Sequence, residues 1–124
     1  MSVVAGEDPA VEVAGLVVRY GDLTAVDGVS FTAGPGEVVA VLGPNGAGKT
    51  STVETLEGYR HPDAGVVRVL GLNPVADHRR LVPRIGVMLQ GGGVTNQMRV
   101  GEAVRLQATY YRNPLDPDDL IDTV

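Results

Sequence analysis

The chain has 124 residues, which suits one ordinary domain or part of a larger one, and its 44% hydrophobic content is enough for a buried core. Ten basic and fifteen acidic residues give a net charge of -5 without any basic block, which argues against nucleic-acid binding. Because cysteine is absent, disulfides, cysteine-ligated zinc and a thiol nucleophile are excluded.

The first third of the sequence predicts an antiparallel hairpin followed by a buried strand. Segment 11–20 is rich in β-branched residues and predicts a strand. Gly21 and Asp22 predict a turn, and segment 24–32 predicts the hairpin partner. Segment 37–42, EVVAVL, is apolar without alternation, as is typical of a strand buried on both faces of a sheet.

The middle of the sequence predicts alternating helices and strands. Strands are predicted at 65–71 and at 84–90, the second of them buried. Helices are predicted at 49–57, where Gly58 would end the helix, at 76–82 and at 100–111.

The last segment, DPDDLIDTV, has a strong helix start. Asp116 is predicted as the N-cap and Pro117 as the first helical residue, with Asp118 and Asp119 in the first turn. A helix of about two turns at a free end is marginal by itself. We therefore expect the chain to be a fragment of a longer protein; the alternative is a short terminal helix docked on a complete small domain.

Segment 43–51, GPNGAGKTS, matches the phosphate-binding pattern G-x-x-x-x-G-K-[ST] at every defined position. Glycines let several backbone N–H groups turn toward one polyphosphate, because no Cβ obstructs the required dihedral angles. We expect Lys49 to reach the β- and γ-phosphates, Thr50 to ligate Mg²⁺ and Ser51 to contact the α-phosphate. The alternative, a glycine-rich turn without a ligand, is disfavoured by the strand predicted before the loop and the helix after it. The predicted nucleotide-binding residues of this loop are Gly43, Pro44, Asn45, Gly46, Ala47, Gly48, Lys49, Thr50 and Ser51.

From Val11 to its end, the chain resembles the first half of an ATP-binding-cassette (ABC) ATPase. The loop interior Pro44-Asn45-Gly46-Ala47 is typical of ABC proteins rather than of GTPases or small kinases, and GVMLQ follows at the expected distance. The resemblance implies an α/β fold of the P-loop NTPase (RecA-like) type with an N-terminal antiparallel β-hairpin subdomain and the start of a helical subdomain. The implied division is a flexible start at 1–10, an ATP-binding core at 11–94 and the beginning of the helical subdomain at 95–124.

The same resemblance implies roles for residues outside the loop. Tyr20 takes the position of the aromatic side chain that stacks on adenine, although it could instead be a strand-end tyrosine packed on the hairpin. Val26 falls near the ribose. Gln90 matches the Q-loop glutamine, which joins Thr50 at Mg²⁺ and senses the γ-phosphate, so that Lys49 and Gln90 are the catalytic candidates. Gly91 to Gly93 predict a hinge after it.

The parts of the family's site that cut ATP are expected beyond residue 124. These parts are the LSGGQ-type signature, the Walker B aspartate, the glutamate that activates water and the switch histidine. We expect the parent protein to be an ATPase, and these 124 residues alone to bind nucleotide at most, because hydrolysis requires positioned water and stabilised transition-state charge.

The function implied by the resemblance is that of the ATP-binding subunit of an ABC transporter. It would bind MgATP, form a nucleotide-sandwich dimer with a second ATP-binding subunit and drive a membrane permease from the inner face of the cell membrane. The stretch LEGYRHPDAGVVRVLGLNP resembles ABC-2-type and drug-export ATPases, which favours export. The alternatives are a soluble ABC ATPase acting in translation or DNA repair, and a non-catalytic nucleotide-binding module.

Overall fold

The computed structural model describes residues 8–91 and 97–123. The chain divides into two compact units, Met1–Leu81 and Val82–Val124. Most of the predicted flexible start at 1–10, and the predicted domain boundary after residue 94, lie outside the described residues.

The first unit is built on a three-stranded antiparallel sheet. Its strands are β1 (Val11–Tyr20), β2 (Leu23–Ala33) and β3 (Ala64–Val69), and their order across the sheet is β2-β1-β3. The predicted hairpin and its turn are confirmed, since Tyr20 pairs with Leu23 across the two intervening residues.

A β-bulge in β1 keeps its apolar side chains on one face. Val13 and Leu16 are three residues apart, yet both are buried in the core together with Val18. Strict alternation would place them on opposite faces, but the register shifts between them, at Gly15 with a φ of 61°. The core of this unit consists of Val13, Leu16, Val18, Val26 and Val67.

Helix α1 (Lys49–Glu57) lies on this core and coincides with its predicted range. Its buried residues are polar rather than apolar. The hydroxyl groups of Thr52 and Thr55 donate to the carbonyls of Gly48 and Ser51, four residues earlier, at 2.9 and 2.7 Å. Burial of these threonines is therefore tolerated, because their polar groups are hydrogen-bonded. The left-handed Gly58 ends the helix, as predicted.

Three further helices follow among the described residues, and the second of them is as long as α1. Helix α2 (His78–Leu81) belongs to the first unit, and a 3-10 turn over Val82–Arg84 follows. The second unit contains α3 (Val100–Ala108) and α4 (Pro117–Thr123). Asp116 caps α4 as predicted, its carboxylate accepting a hydrogen bond of 2.8 Å from the N–H of Asp118. Among the described residues, no helix has the length and apolar character needed to cross a bilayer.

Two predicted strands are not formed. Segment 37–42 has no regular structure, and Val38 is 96% exposed. Segment 84–90 begins inside the 3-10 turn, continues without regular structure and ends in a turn, with Met88 94% exposed. The prediction of buried strands was wrong here because a strand needs a neighbour to pair its backbone groups. Among the described residues, the one sheet is antiparallel and includes neither segment.

Candidate phosphate-binding site

The loop 43–51 forms a turn that leads directly into α1. The N–H of Ala47 donates to the carbonyl of Pro44 at 3.1 Å, which closes the turn. Gly46 and Gly48 both have a φ of 83°, a conformation that favours glycine. Residues 43–47 are exposed, so the inside of the loop is accessible to a ligand.

Gly48 is fixed against the sheet. A Cβ at this position would lie 2.2 Å from the carbonyl oxygen of Ala25 and 2.8 Å from Cγ2 of Val26. Only glycine fits at this close approach, which attaches the end of the loop to β2. Val26 is buried beneath the loop as part of the core, so it supports Gly48 and offers almost no surface to a ligand. Its contact with ribose stays a prediction.

The backbone of the loop presents donors without acceptors. No described residue accepts a hydrogen bond from the N–H groups of Gly46, Gly48, Lys49 or Thr50. The last two lie in the first turn of α1, where the helix itself supplies no acceptor and its dipole favours an anion. A phosphate group bound here would satisfy several of these donors together.

Lys49 adds the only ammonium group of a lysine in the sequence. Its Nζ donates to the carbonyl of Pro44 at 2.8 Å and also to the carbonyl of Gly43. An ammonium group has three donors, so one remains for a ligand while the other two hold the side chain over the loop. The residues present therefore fit a polyphosphate.

The two hydroxyl residues after Lys49 differ in environment. Thr50 is exposed, which suits a hydroxyl that ligates a metal ion beside the loop. Ser51 is buried, and its Oγ shares a hydrogen bond of 2.8 Å with the hydroxyl of Tyr20. A hydroxyl can donate and accept at once, so Ser51 can accept from Tyr20 and still donate a hydrogen bond to a phosphate oxygen.

Tyr20 contacts the loop through Ser51, while its stacking on adenine stays a prediction, and it has a partner that the sequence did not indicate. The guanidinium carbon of Arg60 lies 4.3 Å from the centre of the Tyr20 ring. Arg60 follows α1 by three residues and is 40 positions from Tyr20. No short-range pattern links residues so far apart, so sequence reasoning missed Arg60.

The end of α1 carries a cluster of charges. Nε of Arg60 donates to a carboxylate oxygen of Glu54 at 3.1 Å. Burial, and to a smaller extent the charge of Glu54, raises the pKa of the nearby Glu57 carboxyl. Glu57 is not part of the loop, and its environment bears on the stability of α1.

Gln90 belongs to the second unit, where it is exposed in a turn after the irregular residues 85–89. Gly91 continues this turn, while Gly92 and Gly93 of the predicted hinge lie outside the described residues. The roles of Gln90 at Mg²⁺ and at the γ-phosphate stay predictions.

Comparison with solved structures confirms the predicted fold class. The protein matches a putative ABC transporter ATP-binding protein from Pyrococcus furiosus with a TM-score of 0.74 and 24% identity, over 90% of this chain and 54% of that chain. It also matches the ATP-binding subunit of an ABC transporter with a TM-score of 0.73 and 25% identity, over 83% of this chain and 43% of that chain.

Sequence comparison gives named relatives. A Nod factor export ATP-binding protein I of Ralstonia nicotianae is 38% identical over 88% of this chain and 34% of its own length. An ABC transporter ATP-binding/permease protein of Mycobacterium tuberculosis is 42% identical over 77% of this chain and 11% of its own length. The chain thus spans about a third of the export proteins that it matches.

The family is shown by a match that covers most of the chain. The family model for ABC transporters matches residues 26–122, a range that includes the loop 43–51 and Gln90. The chain belongs to the ABC transporter family.

Proposed function

We propose that this chain is the nucleotide-binding part of the ATP-binding subunit of an ABC transporter. The observation that supports the proposal most strongly is a cluster of N–H groups, at Gly46, Gly48, Lys49 and Thr50, that donate to no described residue and lie beside the Lys49 ammonium group. This arrangement suits the phosphates of ATP, and Tyr20, whose hydroxyl is bonded to Ser51 at 2.8 Å, is proposed to contact the base.

Each residue has a distinct part in the proposed binding. The loop amides and Lys49 bind the phosphates, Ser51 donates to the α-phosphate, and Thr50 is a ligand of Mg²⁺. Magnesium, when bound, would neutralise charge on the phosphates. Tyr20 supplies an apolar platform for adenine.

Hydrolysis and transport are proposed for the parent protein. The relatives named above include an export ATP-binding protein, which supports a role in export, and an ATP-binding/permease protein, which supports coupling to a permease. We propose that the parent protein acts in export from the inner face of the membrane, paired with a second ATP-binding subunit. Gln90, exposed in its turn, is proposed to sense the γ-phosphate during hydrolysis.

Calorimetric titration with MgATP tests the nucleotide proposal. We expect Lys49→Ala to weaken binding by about tenfold to a hundredfold, because hydrogen bonds to charged groups contribute roughly 1.5–3 kcal/mol. Arg80→Ala is the matched control, since Arg80 is an exposed cation of the same unit that pairs with Asp77 at 3.3 Å. Equal ATP binding by Lys49→Ala and the unmodified protein would contradict the proposal.

The role of Gln90 has a separate test in the parent protein. Gln90→Ala is expected to lower the rate of ATP hydrolysis and to leave the affinity for MgATP nearly unchanged, because the proposed contact acts on the γ-phosphate during the reaction. A hydrolysis rate equal to that of the unmodified protein would remove Gln90 from the proposed mechanism.

A further inference from the structure

Arg60 connects the end of α1 with the aromatic ring proposed to receive the base. Its guanidinium carbon is 4.3 Å from the centre of the Tyr20 ring, within the range of a cation–π contact. Glu54, in the last turn of α1 and six residues earlier, fixes the guanidinium by accepting a hydrogen bond of 3.1 Å from Nε. Arg60 is therefore held between an anion and an aromatic face.

Tyr20 is consequently fixed at two points. Its hydroxyl is tied to Ser51 at 2.8 Å, and one face of its ring is covered by Arg60. Tyr20 nevertheless stays 43% exposed. An aromatic ring has two equivalent faces, and because Arg60 covers one of them, we expect a base to stack on the other.

We propose that Arg60 is a positioning residue that holds the Tyr20 ring ready to stack on the adenine base of ATP. The inference rests on the proposed nucleotide site and adds a determinant of base binding to it. A ring that is already immobilised loses less conformational freedom when a base stacks on it, so binding is tighter. The phosphates lie against the loop rather than against Arg60, and their binding does not depend on it.

Two ligands distinguish the contribution of the base to binding from that of the phosphates. ATP contacts both the ring and the loop, whereas inorganic triphosphate contacts the loop alone. We expect Arg60→Met, which keeps an alkyl stem without the charge, to weaken ATP binding by about threefold to tenfold, the size of one exposed cation–π contact and its ordering effect. The affinity for inorganic triphosphate should change by less than about twofold, because the loop donors are untouched.

Three further variants show whether the effect arises from this contact. Glu54→Gln should weaken ATP binding in the same direction but less, since Arg60 loses its anchor and keeps its ring contact. Arg60→Lys should give an intermediate affinity, because it retains the charge without the planar group. Arg80→Met, in a comparable arginine–aspartate pair away from the ring, should bind both ligands like the unmodified protein.

A spectroscopic readout is independent of ligand binding. In the free protein, the NMR signals of the Tyr20 ring, assigned with Tyr20→Phe, should shift in Arg60→Met and stay in place in Arg80→Met. An unshifted ring signal in Arg60→Met would overturn the contact itself.

The binding outcomes separate this inference from the proposed function. ATP binding unaffected or strengthened by Arg60→Met would overturn the role of Arg60 alone, and strengthened binding would mean that the guanidinium blocks the base. A parallel loss of ATP and triphosphate would show a general structural role and would also overturn it. If neither ligand bound the unmodified protein, the nucleotide site would be refuted together with this inference.

Discussion

The sheet of the first unit and the two segments at 37–42 and 85–89 are both rich in apolar residues. These side chains form the core in the sheet, whereas many of them are exposed in the two segments. Leu16 of β1 is fully buried, with 0% of its surface exposed, whereas Leu42 is 88% exposed. The difference is in backbone pairing, since β1 has a partner on each side and neither segment belongs to the described sheet. Hydrophobic sequence thus shows that a segment can be a strand, and pairing decides whether it becomes one.

The largest expected effect contrasts these two leucines directly. Leu16→Ala should lower the free energy of unfolding by about 2–5 kcal/mol, because it leaves a cavity in the core. Leu42→Ala should change it by less than about 0.5 kcal/mol, as expected for an exposed side chain. Denaturant unfolding measures both values. A loss at Leu42 as large as that at Leu16 would show that segment 37–42 is packed in solution and would break the contrast.

A smaller effect on the free energy of unfolding is expected at the two glycines of the loop, one of which contacts the sheet. Gly46 and Gly48 share a φ of 83°, but a Cβ would meet nothing within 4 Å at Gly46 and would overlap with Ala25 at Gly48. Gly46→Ala should cost about 1–2 kcal/mol for the left-handed conformation alone. Gly48→Ala should cost at least about 1 kcal/mol more, because the backbone of β2 must also move.

Thermal unfolding of the two alanine variants measures this difference. The two variants should also differ in ATP affinity. Gly48→Ala should bind ATP more weakly, because moving the end of the loop away from β2 disturbs the amides at the start of α1. Equal stabilities would mean that the loop is not anchored to the sheet at Gly48.

The smallest expected effect is the pH dependence at Glu57. Its pKa in the folded protein is raised above the ordinary value of 4.5, so the folded state retains the proton more readily than the unfolded state. The stabilising contribution is present in full below the unfolded pKa and is lost as the pH rises through the folded pKa. Glu57→Gln, which cannot ionise, should therefore be more stable than the unmodified protein at neutral pH.

The advantage of Glu57→Gln should shrink as the pH falls below 4.5, where the native carboxyl is protonated as well. Unfolding midpoints measured at acidic and neutral pH give this comparison. A variant that is less stable than the unmodified protein at neutral pH would contradict the stated direction.

Local signals in the sequence predicted the elements that depend on local interactions. Helix α1 runs from Lys49 to Glu57 as predicted, because the left-handed Gly48 and Gly58 lie at its two ends. The hairpin was predicted from its central turn, and the start of α4 was predicted from Asp116. Both features depend on residues that are close in the sequence.

Interactions between residues far apart in the sequence could not be predicted from such local signals. Segments 37–42 and 84–90 were predicted as buried strands from composition, which carries no information about a pairing partner. The contact of Arg60 with Tyr20 joins residues 40 positions apart and depends on the packing of α1 against β1, which short-range patterns do not encode. The roles of the loop residues were predicted from the sequence alone because they are consecutive, and these roles stay predictions until binding is measured.

The central claim, that the loop binds phosphate with Lys49, is tested most directly by chemical footprinting of that lysine. Lys49 is the only lysine of the sequence, so acetylation of the protein by an amine reagent reports on it alone, apart from the α-amine as internal control. We expect saturating MgATP to slow acetylation of Lys49 by at least about tenfold, because the bound fraction is protected, while acetylation of the α-amine continues unchanged. Acetylation of Lys49 at the same rate with and without MgATP would contradict the claim.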